Sequence, residues 1–375
     1  MNTIYNDTYT FAKTHIKPHT KQADEEGSFP IQSYRALQEH GYMGLLVPKM
    51  YGGQEQSIET HTLCIEAIAQ NCATTALAYM MHNVATMCIV LHGSQTLKDE
   101  LLPKIAQGEA TLALAYSETG TGTHFYQPDI SITQHEGKEV LNGRKSFVTS
   151  AKVADYYLVI SNSLKEGMLD NWLISKRQEG LSFEDQAWDG LGMRGNASMP
   201  MVLENVAVTE HQRIGEEGSG LEQIFNVVAP YFILGLSAVY TGVSLHAQAV
   251  ISEHTMNRTY TSSEALCQHP TVQNDLATIY LKAQSAKHFT HSAAKSAATG
   301  SQDALAQIIA SRVNASQVSI EVCTLAMKLG GGTAYAKRLP LERLLRDSFA
   351  SPVMAPGVDV LSIWLGKALT NQEIL

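Results

Sequence analysis

The sequence contains few cysteines, and none has a spacing typical of a metal site. Its 375 residues include five cysteines, an odd number. They are Cys64, Cys72, Cys88, Cys267 and Cys323. No two of them have the Cys-x-x-Cys spacing that structural zinc sites use. We therefore expect buried free thiols, a reducing cytoplasmic location and no metal centre.

The sequence also has no cluster of positive charge and no long apolar run. Charged residues make up 17% of the chain, the net charge is −9, and no basic stripe is present. Nucleic acid is therefore not an expected partner. No uninterrupted run of about 18 apolar residues occurs, so we expect no membrane-spanning helix. The amino terminus lacks a basic region followed by an apolar run, so no signal peptide is evident.

A Rossmann dinucleotide-binding domain is excluded by two missing features. Gly120-Thr-Gly122 lacks the third glycine of the G-x-G-x-x-G fingerprint. The sequence also lacks the strand–helix–strand alternation that surrounds such a fingerprint. Any dinucleotide cofactor must therefore be bound by a different fold.

The chain divides into three segments by its patterning. Residues 1–111 show helical spacing of apolar residues, residues 112–212 contain short β-like runs such as Tyr156–Ile160, and residues 213–375 return to long helical stretches. Asn142-Gly143, between two β-like runs, predicts a hairpin turn. This order predicts an α+β protein with an N-terminal helical domain, a central domain of antiparallel strands and a C-terminal helical bundle.

Two motifs in the middle segment suit a ligand with a flat ring. The first runs from Leu114 to Thr123 and contains two glycines, and the second runs from Lys145 to Thr149. Each motif carries hydroxyl groups in a β-rich context, and glycine lets the backbone approach a ligand closely. Together they suggest one wall of a site for a ring with polar edges.

A series of motifs resembles those of the acyl-CoA dehydrogenase family, in the same order. They are Gly41–Pro48 with Tyr51–Gly53, Ser117–Thr123, Leu141–Lys145 continuing to Asp155, Leu191–Ser198, and Gly330–Gly332 with Leu339–Asp347. The resemblance spans nearly the whole chain. It implies an N-terminal α-helical domain, a central β-domain and a C-terminal four-helix bundle.

The resemblance also implies a cofactor, a reaction and an assembly. FAD would lie between the β-domain and the bundle, in a homotetramer or homodimer. The implied reaction belongs to fatty acid metabolism. It is the α,β-dehydrogenation of an acyl-CoA or other acyl thioester, with hydride transfer to flavin N5. The electron acceptor would be a flavoprotein or O2.

Residues that match the family motifs are expected to contact FAD. Those near the flavin would be Leu114, Tyr116, Ser117, Gly122, Thr123, Phe147, Val148, Thr149, Gly357 and Asp359, and those at the other end would be Arg258, Lys328, Gly331 and Gly332. By the resemblance, Phe147 would stack near the isoalloxazine face and Thr149 would hydrogen-bond near N5. Arg258 would reach the FAD phosphates of a neighbouring subunit, because a guanidinium fork matches a pyrophosphate.

The residue that should act as catalytic base is missing from both positions where the family has it. Most members carry a glutamate about eight residues after the motif that here is Arg346-Asp347, and that position holds Ala355. Other members carry it on the first bundle helix, where this chain has Phe232. Neither side chain can accept a proton, so the base is unassigned.

Three hypotheses remain open. The first is an acyl-CoA dehydrogenase whose base lies elsewhere. The second is a flavin-dependent monooxygenase or oxidase on the same fold, for which no α-proton need leave. The third is a non-catalytic flavin-binding protein. Glu118 is not an obvious base, because family members also have a glutamate in this flavin loop without using it in that role.

Overall fold

Helices come first in the computed structural model, which describes residues 3–185, 188–261 and 263–374. The first part has six helices: α1 (Thr3–His15), α2 (Lys17–Glu26), α3 (Ile31–Glu39), α4 (Ile58–Ala69), α5 (Ala73–His92) and α6 (Gln95–Ala106). Serine side chains cap two of their starts. Ser57 Oγ accepts a hydrogen bond from Thr60 N at 3.2 Å, and Ser94 Oγ accepts one from Leu97 N at 3.2 Å.

The middle part is built from eight strands. They are β1 (Leu112–Ala115), β2 (Ser131–His135), β3 (Lys138–Val148), β4 (Tyr156–Asn162), β5 (Leu169–Ser175), β6 (Leu181–Phe183), β7 (Met199–Val208) and β8 (Arg213–Ile214). They form two four-stranded sheets, in the orders β1-β4-β5-β8 and β2-β3-β7-β6. The fully buried Trp172 lies in the apolar core of this domain, and its Nε1 donates to Ser161 Oγ at 3.0 Å.

The strand arrangement corrects two details of the sequence prediction. β1 and β4 pair in parallel, because the chain passes through β2 and β3 of the other sheet before it returns. Asn142-Gly143 is not the hairpin turn. It lies inside β3 at a register irregularity, and the turn between β2 and β3 is at Glu136-Gly137, where both φ angles are positive. Gly143 has φ +140°, and a Cβ there would lie 2.6 Å from Ile130 Cδ1. Close approach therefore explains this glycine.

The last part is again helical. It comprises α7 (Gly220–Gln223), a π-helical turn (Ile224–Val228), α8 (Ala229–Asn257), α9 (Pro270–Thr299), α10 (Ala304–Tyr335), α11 (Leu341–Ser348) and α12 (Val358–Leu369). α8, α9 and α10 pack on one another, and α12 packs on α10. Gly331, with φ +52° and ψ −142°, breaks the helical backbone near the end of α10.

Two helical segments are longer and more apolar than the sequence prediction allowed. Ala73–His92 and Gly220–Asn257 are long and apolar enough to cross a membrane by length and composition alone. Scattered polar residues interrupt them, so a search for uninterrupted apolar runs overlooks them. In the fold, 83% and 72% of their most apolar windows are buried. Their hydropathy is therefore explained by packing inside the protein.

The contact between α4 and α8 requires a residue without a side chain. A Cβ atom at Gly242 on α8 would lie 2.5 Å from Ala69 Cβ and 2.8 Å from the carbonyl oxygen of Glu66 on α4. Both atoms belong to a buried helix that cannot move aside without disturbing its own packing. This glycine therefore sets the spacing between the N-terminal helices and the bundle.

Gly242→Ala should destabilise the protein by about 1–3 kcal/mol through overpacking, despite the better helix propensity of alanine. The matched control is Gly366→Ala on the exposed face of α12, where a Cβ would meet no atom within 4 Å. That variant should be neutral or gain up to about 1 kcal/mol. Urea unfolding followed by circular dichroism measures both. Equal midpoints for the two variants would refute the packing argument.

Candidate functional site

An apolar cavity lies between the β-domain and the start of α8. One side is formed by the predicted flavin-contact residues Leu114, Tyr116, Ser117 and Phe147. The other side is formed by Phe232, Ile233, Ala355 and Pro356. Phe232 and Ala355, the two positions predicted for the family base, therefore line the same cavity as several predicted flavin contacts, although they are more than a hundred residues apart in sequence.

The loop that begins at Ser117 is held by a buried ion pair. Glu118 Oε1 accepts a hydrogen bond from Lys145 Nζ, and both side chains are at most 1% exposed. Lys145 Nζ also donates to the carbonyl oxygen of Ile160 at 2.7 Å, while Glu118 Oε2 accepts from Asp129 N at 2.6 Å. Burial lowers the pKa of Lys145 to about 8, although Glu118 opposes this shift. Because its carboxylate is fully engaged, Glu118 is a structural anchor rather than a free base.

Further hydrogen bonds connect this loop to its neighbours. Ser146 N donates to the carbonyl oxygen of Ser117 at 2.8 Å, which holds the loop against β3. Gly357 N donates to Thr123 Oγ1 at 3.0 Å. Two of the predicted flavin contacts, Thr123 and Gly357, thus meet although they come from the β-domain loop and the C-terminal helices.

Other predicted flavin contacts differ in what they offer a ligand. Phe147 is 62% exposed, with its ring 6.0 Å from that of Trp188, so a ligand could cover its free face. Thr149 is buried, and its Oγ1 lies 3.3 Å from Ser198 Oγ. Val148 is buried in the β-domain core, so only its backbone is available to a ligand.

Of three more predicted positions, Gly122 and Asp359 do not line the cavity and Tyr116 does. Gly122 has φ +55°, and a side chain there would meet no atom within 4 Å. Asp359 is exposed in the first turn of α12 and does not line the cavity. Tyr116 donates its hydroxyl proton to Asn171 Oδ1 at 2.5 Å, and burial raises the pKa of this phenol well above its ordinary value.

The cavity offers no base that works near neutral pH. None of its described lining residues has a carboxylate or an imidazole. Its one ionisable side chain, the phenol of Tyr116, is neutral because of its raised pKa and is already engaged with Asn171. The assignment of Ala355 and Phe232 to the family's base positions remains a prediction.

The remaining predicted cofactor residues line a second cavity. Arg258, Lys328, Gly331 and Gly332 come together at the far ends of α8 and α10. Phe232 lines the first cavity and His254 lines the second. They are 22 residues apart on α8, a distance of about 33 Å along the helix axis. The two cavities therefore lie towards opposite ends of α8.

The residues present at both cavities suit FAD. The first has hydroxyls and backbone groups beside an exposed aromatic face. In the second, Arg258 is accompanied by bare glycine backbone, and a Cβ at Gly331 or Gly332 would meet no atom within 4 Å. A guanidinium and open backbone are the groups that bind a pyrophosphate.

Sequence analysis did not assign several residues of the first cavity. Phe125, Val228, Ala229 and Pro356 line it but belong to none of the motifs used for the cofactor prediction. They are brought together by contact between domains, which leaves no spacing pattern in the sequence. The π-helical turn that carries Val228 likewise has no periodicity that marks it.

Comparison with known families identifies the fold. Models of the N-terminal, middle and C-terminal domains of acyl-CoA dehydrogenase match residues 2–109, 113–206 and 237–358. The chain belongs to the acyl-CoA dehydrogenase family. It is a flavoprotein oxidoreductase of the type that acts on CH–CH groups, and its cofactor is FAD. The non-catalytic hypothesis has no support from these matches.

Individual relatives match this chain over nearly its whole length. The chain is 26% identical over 361 residues to the probable acyl-CoA dehydrogenase FadE25 of Mycobacterium tuberculosis, covering 96% of this chain and 92% of the relative. Butyryl-CoA dehydrogenase from Megasphaera elsdenii superimposes with a TM-score of 0.92 at 22% identity, covering 99% of both chains. The prolyl acyl carrier protein oxidase AnaB superimposes with a TM-score of 0.88 at 24% identity, covering 98% of this chain and 99% of AnaB. At these identities the two structures show the shared fold alone.

Glu118→Gln should release the loop at Ser117 and weaken FAD retention, because it leaves the Lys145 ammonium buried without a counter-charge. Breaking one partner of a buried pair costs about 3–5 kcal/mol. The neighbouring exposed pair, Arg144 with Glu184, provides the control. Arg144→Gln should change stability by about 0–1 kcal/mol. The ratio of flavin to protein absorbance after gel filtration, together with urea midpoints, distinguishes them, and a Glu118→Gln protein that keeps its flavin and midpoint would contradict the anchoring role.

Proposed function

We propose that this family member oxidises an acyl thioester between its α and β carbons, in the cavity lined by Phe232 and Ala355. The observation that supports it is that the predicted flavin contacts and both family base positions line one apolar cavity. FAD, when bound, supplies the hydride acceptor for such a reaction. A substrate chain between Leu114 and Ile233 would lie against the flavin wall.

The chain's own residues have three tasks in this proposal. Leu114, Phe125 and Ile233 exclude water from the acyl chain, which strengthens the polar contacts that remain. The Ser117 and Thr123 hydroxyls bind and orient the flavin edge. Phe147 supports the ring face. The α-proton must pass to an acceptor other than residues 232 and 355. Because no described lining residue has a carboxylate or an imidazole, this acceptor lies outside the described lining of the cavity.

A second candidate is a flavin-dependent monooxygenase or oxidase acting in the same cavity. The observation that favours it is the absence of a carboxylate or imidazole among the described lining residues. Monooxygenation transfers one oxygen atom of O2 to the substrate and releases the other as water, with two electrons supplied by an external reductase or reduced nicotinamide. It removes no α-proton, so it needs no base at these positions. The similarity to AnaB, which is described as an oxidase, agrees with this candidate at the level of fold.

Anaerobic titration of the FAD-loaded protein with a panel of acyl-CoAs tests the proposal. Bleaching of the flavin absorbance by one chain length, without O2, is the expected result for dehydrogenation. If every acyl-CoA leaves the flavin oxidised, and the dithionite-reduced protein reoxidises rapidly in O2 with an oxygenated product, the second candidate replaces the first.

Ala355→Glu should create or increase acyl-CoA dehydrogenation, because it adds a carboxylate to the cavity wall where the family base belongs. Positioned proton transfer contributes roughly 100-fold or more to such reactions, so we expect at least a tenfold faster anaerobic flavin reduction. Ala355→Gln has nearly the same shape without a base, and it should give no increase. If the glutamate variant is no faster than the glutamine variant for any chain length, position 355 is not the base position.

We further propose a cytoplasmic homodimer or homotetramer in which the Arg258 cavity receives the FAD of another copy. The separation of the two cavities along α8 supports this arrangement. The proposal of a cytoplasmic location is supported by free cysteines, four of which are buried.

Arg258→Gln should lower FAD affinity at least tenfold by removing the guanidinium expected to bind the pyrophosphate. Arg177→Gln, at an exposed arginine in the β5–β6 turn, is the matched control and should retain FAD like the unaltered protein. Fluorescence titration of the apoprotein with FAD measures both affinities, and sedimentation shows whether the assembly is retained. Unchanged affinity in Arg258→Gln would remove this residue from the cofactor site.

A further inference from the structure

A third cavity, of about 480 Å³, lies among α2, α8, α11 and the segment that follows α10. It shares no lining residue with the two cavities assigned to FAD and substrate. Its volume falls in the range of small-molecule sites, which is about 300–1,000 Å³. Neither the family motifs nor the proposed function assigns a role to it.

The lining of this third cavity is strongly cationic. It includes seven lysine and arginine side chains and three carboxylates, a formal excess of four positive charges. The whole chain, in contrast, has a net charge of −9. A concave site lined by one sign of charge concentrates ions of the opposite sign. The excess therefore points to an anion.

The three carboxylates are already engaged with cations of the same lining. Asp24 and Glu342 both accept hydrogen bonds from Arg346, at 2.5–3.1 Å. Glu25 lies 3.7 Å from Lys21. Within the described parts of the chain, no carboxylate lies within 4.0 Å of the charged groups of the remaining five, which are Lys17, Arg194, Lys337, Arg338 and Arg343.

A buried histidine in the same lining lacks a partner. His246 on α8 is 8% exposed, and its Nδ1 is buried without a hydrogen bond to any described residue. Leaving a buried polar atom unpaired destabilises a folded protein, because the atom loses its hydrogen bonds to water. A ligand or an ordered water in the cavity would satisfy such an atom. This observation is independent of the charge count and also points to an occupant.

The composition of the lining indicates which part of a ligand it recognises. Leu339 and Pro340 are its apolar residues, and no phenylalanine, tyrosine or tryptophan is among its described members. No aromatic side chain of the described lining is therefore available for a base to stack on. Arginine forks match phosphate oxygens geometrically, and five cations without a carboxylate partner suit more than one phosphate group. Of these five, Arg194 already donates through Nε to the carbonyl oxygen of Asp24 at 2.8 Å.

We propose that this cavity binds a compound with two or more linked phosphates through Lys17, Arg194, Lys337, Arg338, Arg343 and His246. The recognised chemistry is the diphosphate group, whether it is inorganic or part of a nucleotide. The site is separate from the FAD and substrate cavities, so the proposal does not depend on the reaction proposed above.

Isothermal titration of the FAD-loaded protein with inorganic pyrophosphate tests this proposal, at constant ionic strength and with sulfate as the competing simple anion. We expect saturable binding that is at least tenfold tighter than that of sulfate. ADP distinguishes the sources. Equal affinity for ADP and pyrophosphate supports recognition of the diphosphate alone, and tighter binding of ADP supports a nucleotide as the natural ligand.

Arg338→Gln and Arg343→Gln should each weaken pyrophosphate binding at least tenfold, while Arg177→Gln outside the cavity leaves it unchanged. Flavin absorbance and the thermal midpoint show that each variant is folded. Lys17→Gln replaces Arg343→Gln if the latter fails to fold, because Arg343 lies on the helix that carries the buried Asp347. Absence of saturable binding, equal affinity for sulfate, or unchanged binding in the cavity variants would each overturn the proposal.

Discussion

The buried ion pair between Glu118 and Lys145 is the constraint on which the candidate site depends. It joins the loop after β1 to the middle of β3, and the added bonds to Ile160 and Asp129 leave neither charge unsatisfied. Inside a protein such a pair is stable only when its geometry and its further hydrogen bonds are complete. The pair therefore holds the loop at Ser117 against β3, next to Phe147.

The carboxylate next to the site has a structural role and is not available as a base. Glu118 follows Ser117, which lines the cavity, but both of its carboxylate oxygens already accept hydrogen bonds from Lys145 and Asp129. The two positions predicted for the family base, Ala355 and Phe232, both line the cavity. No described residue of this lining carries a carboxylate or an imidazole. Such a lining is compatible with both proposed reaction types, α,β-dehydrogenation and oxygenation.

The sequence correctly predicted the order of helical and β-rich parts, and its motifs supplied the candidate cofactor residues, which remain predictions. Regular spacing reveals amphipathic helices, and the glycine-rich motifs have a local signature, so both are readable without coordinates. It failed at Asn142-Gly143, where a typical turn dipeptide lies inside β3 because close packing against Ile130 requires a glycine. It also missed the parallel pairing of β1 with β4, which depends on a crossover between sheets.

By itself, the sequence determined the family and the residue types available for FAD, because these follow from motifs that are short and contiguous. The tertiary structure decided which of those residues meet. It placed residue 232 beside residue 355, divided the cofactor residues between two ends of α8, and gathered cations from α2, α11 and the segment after α10 around His246. Such groupings come from packing between distant segments, and local spacing does not encode them.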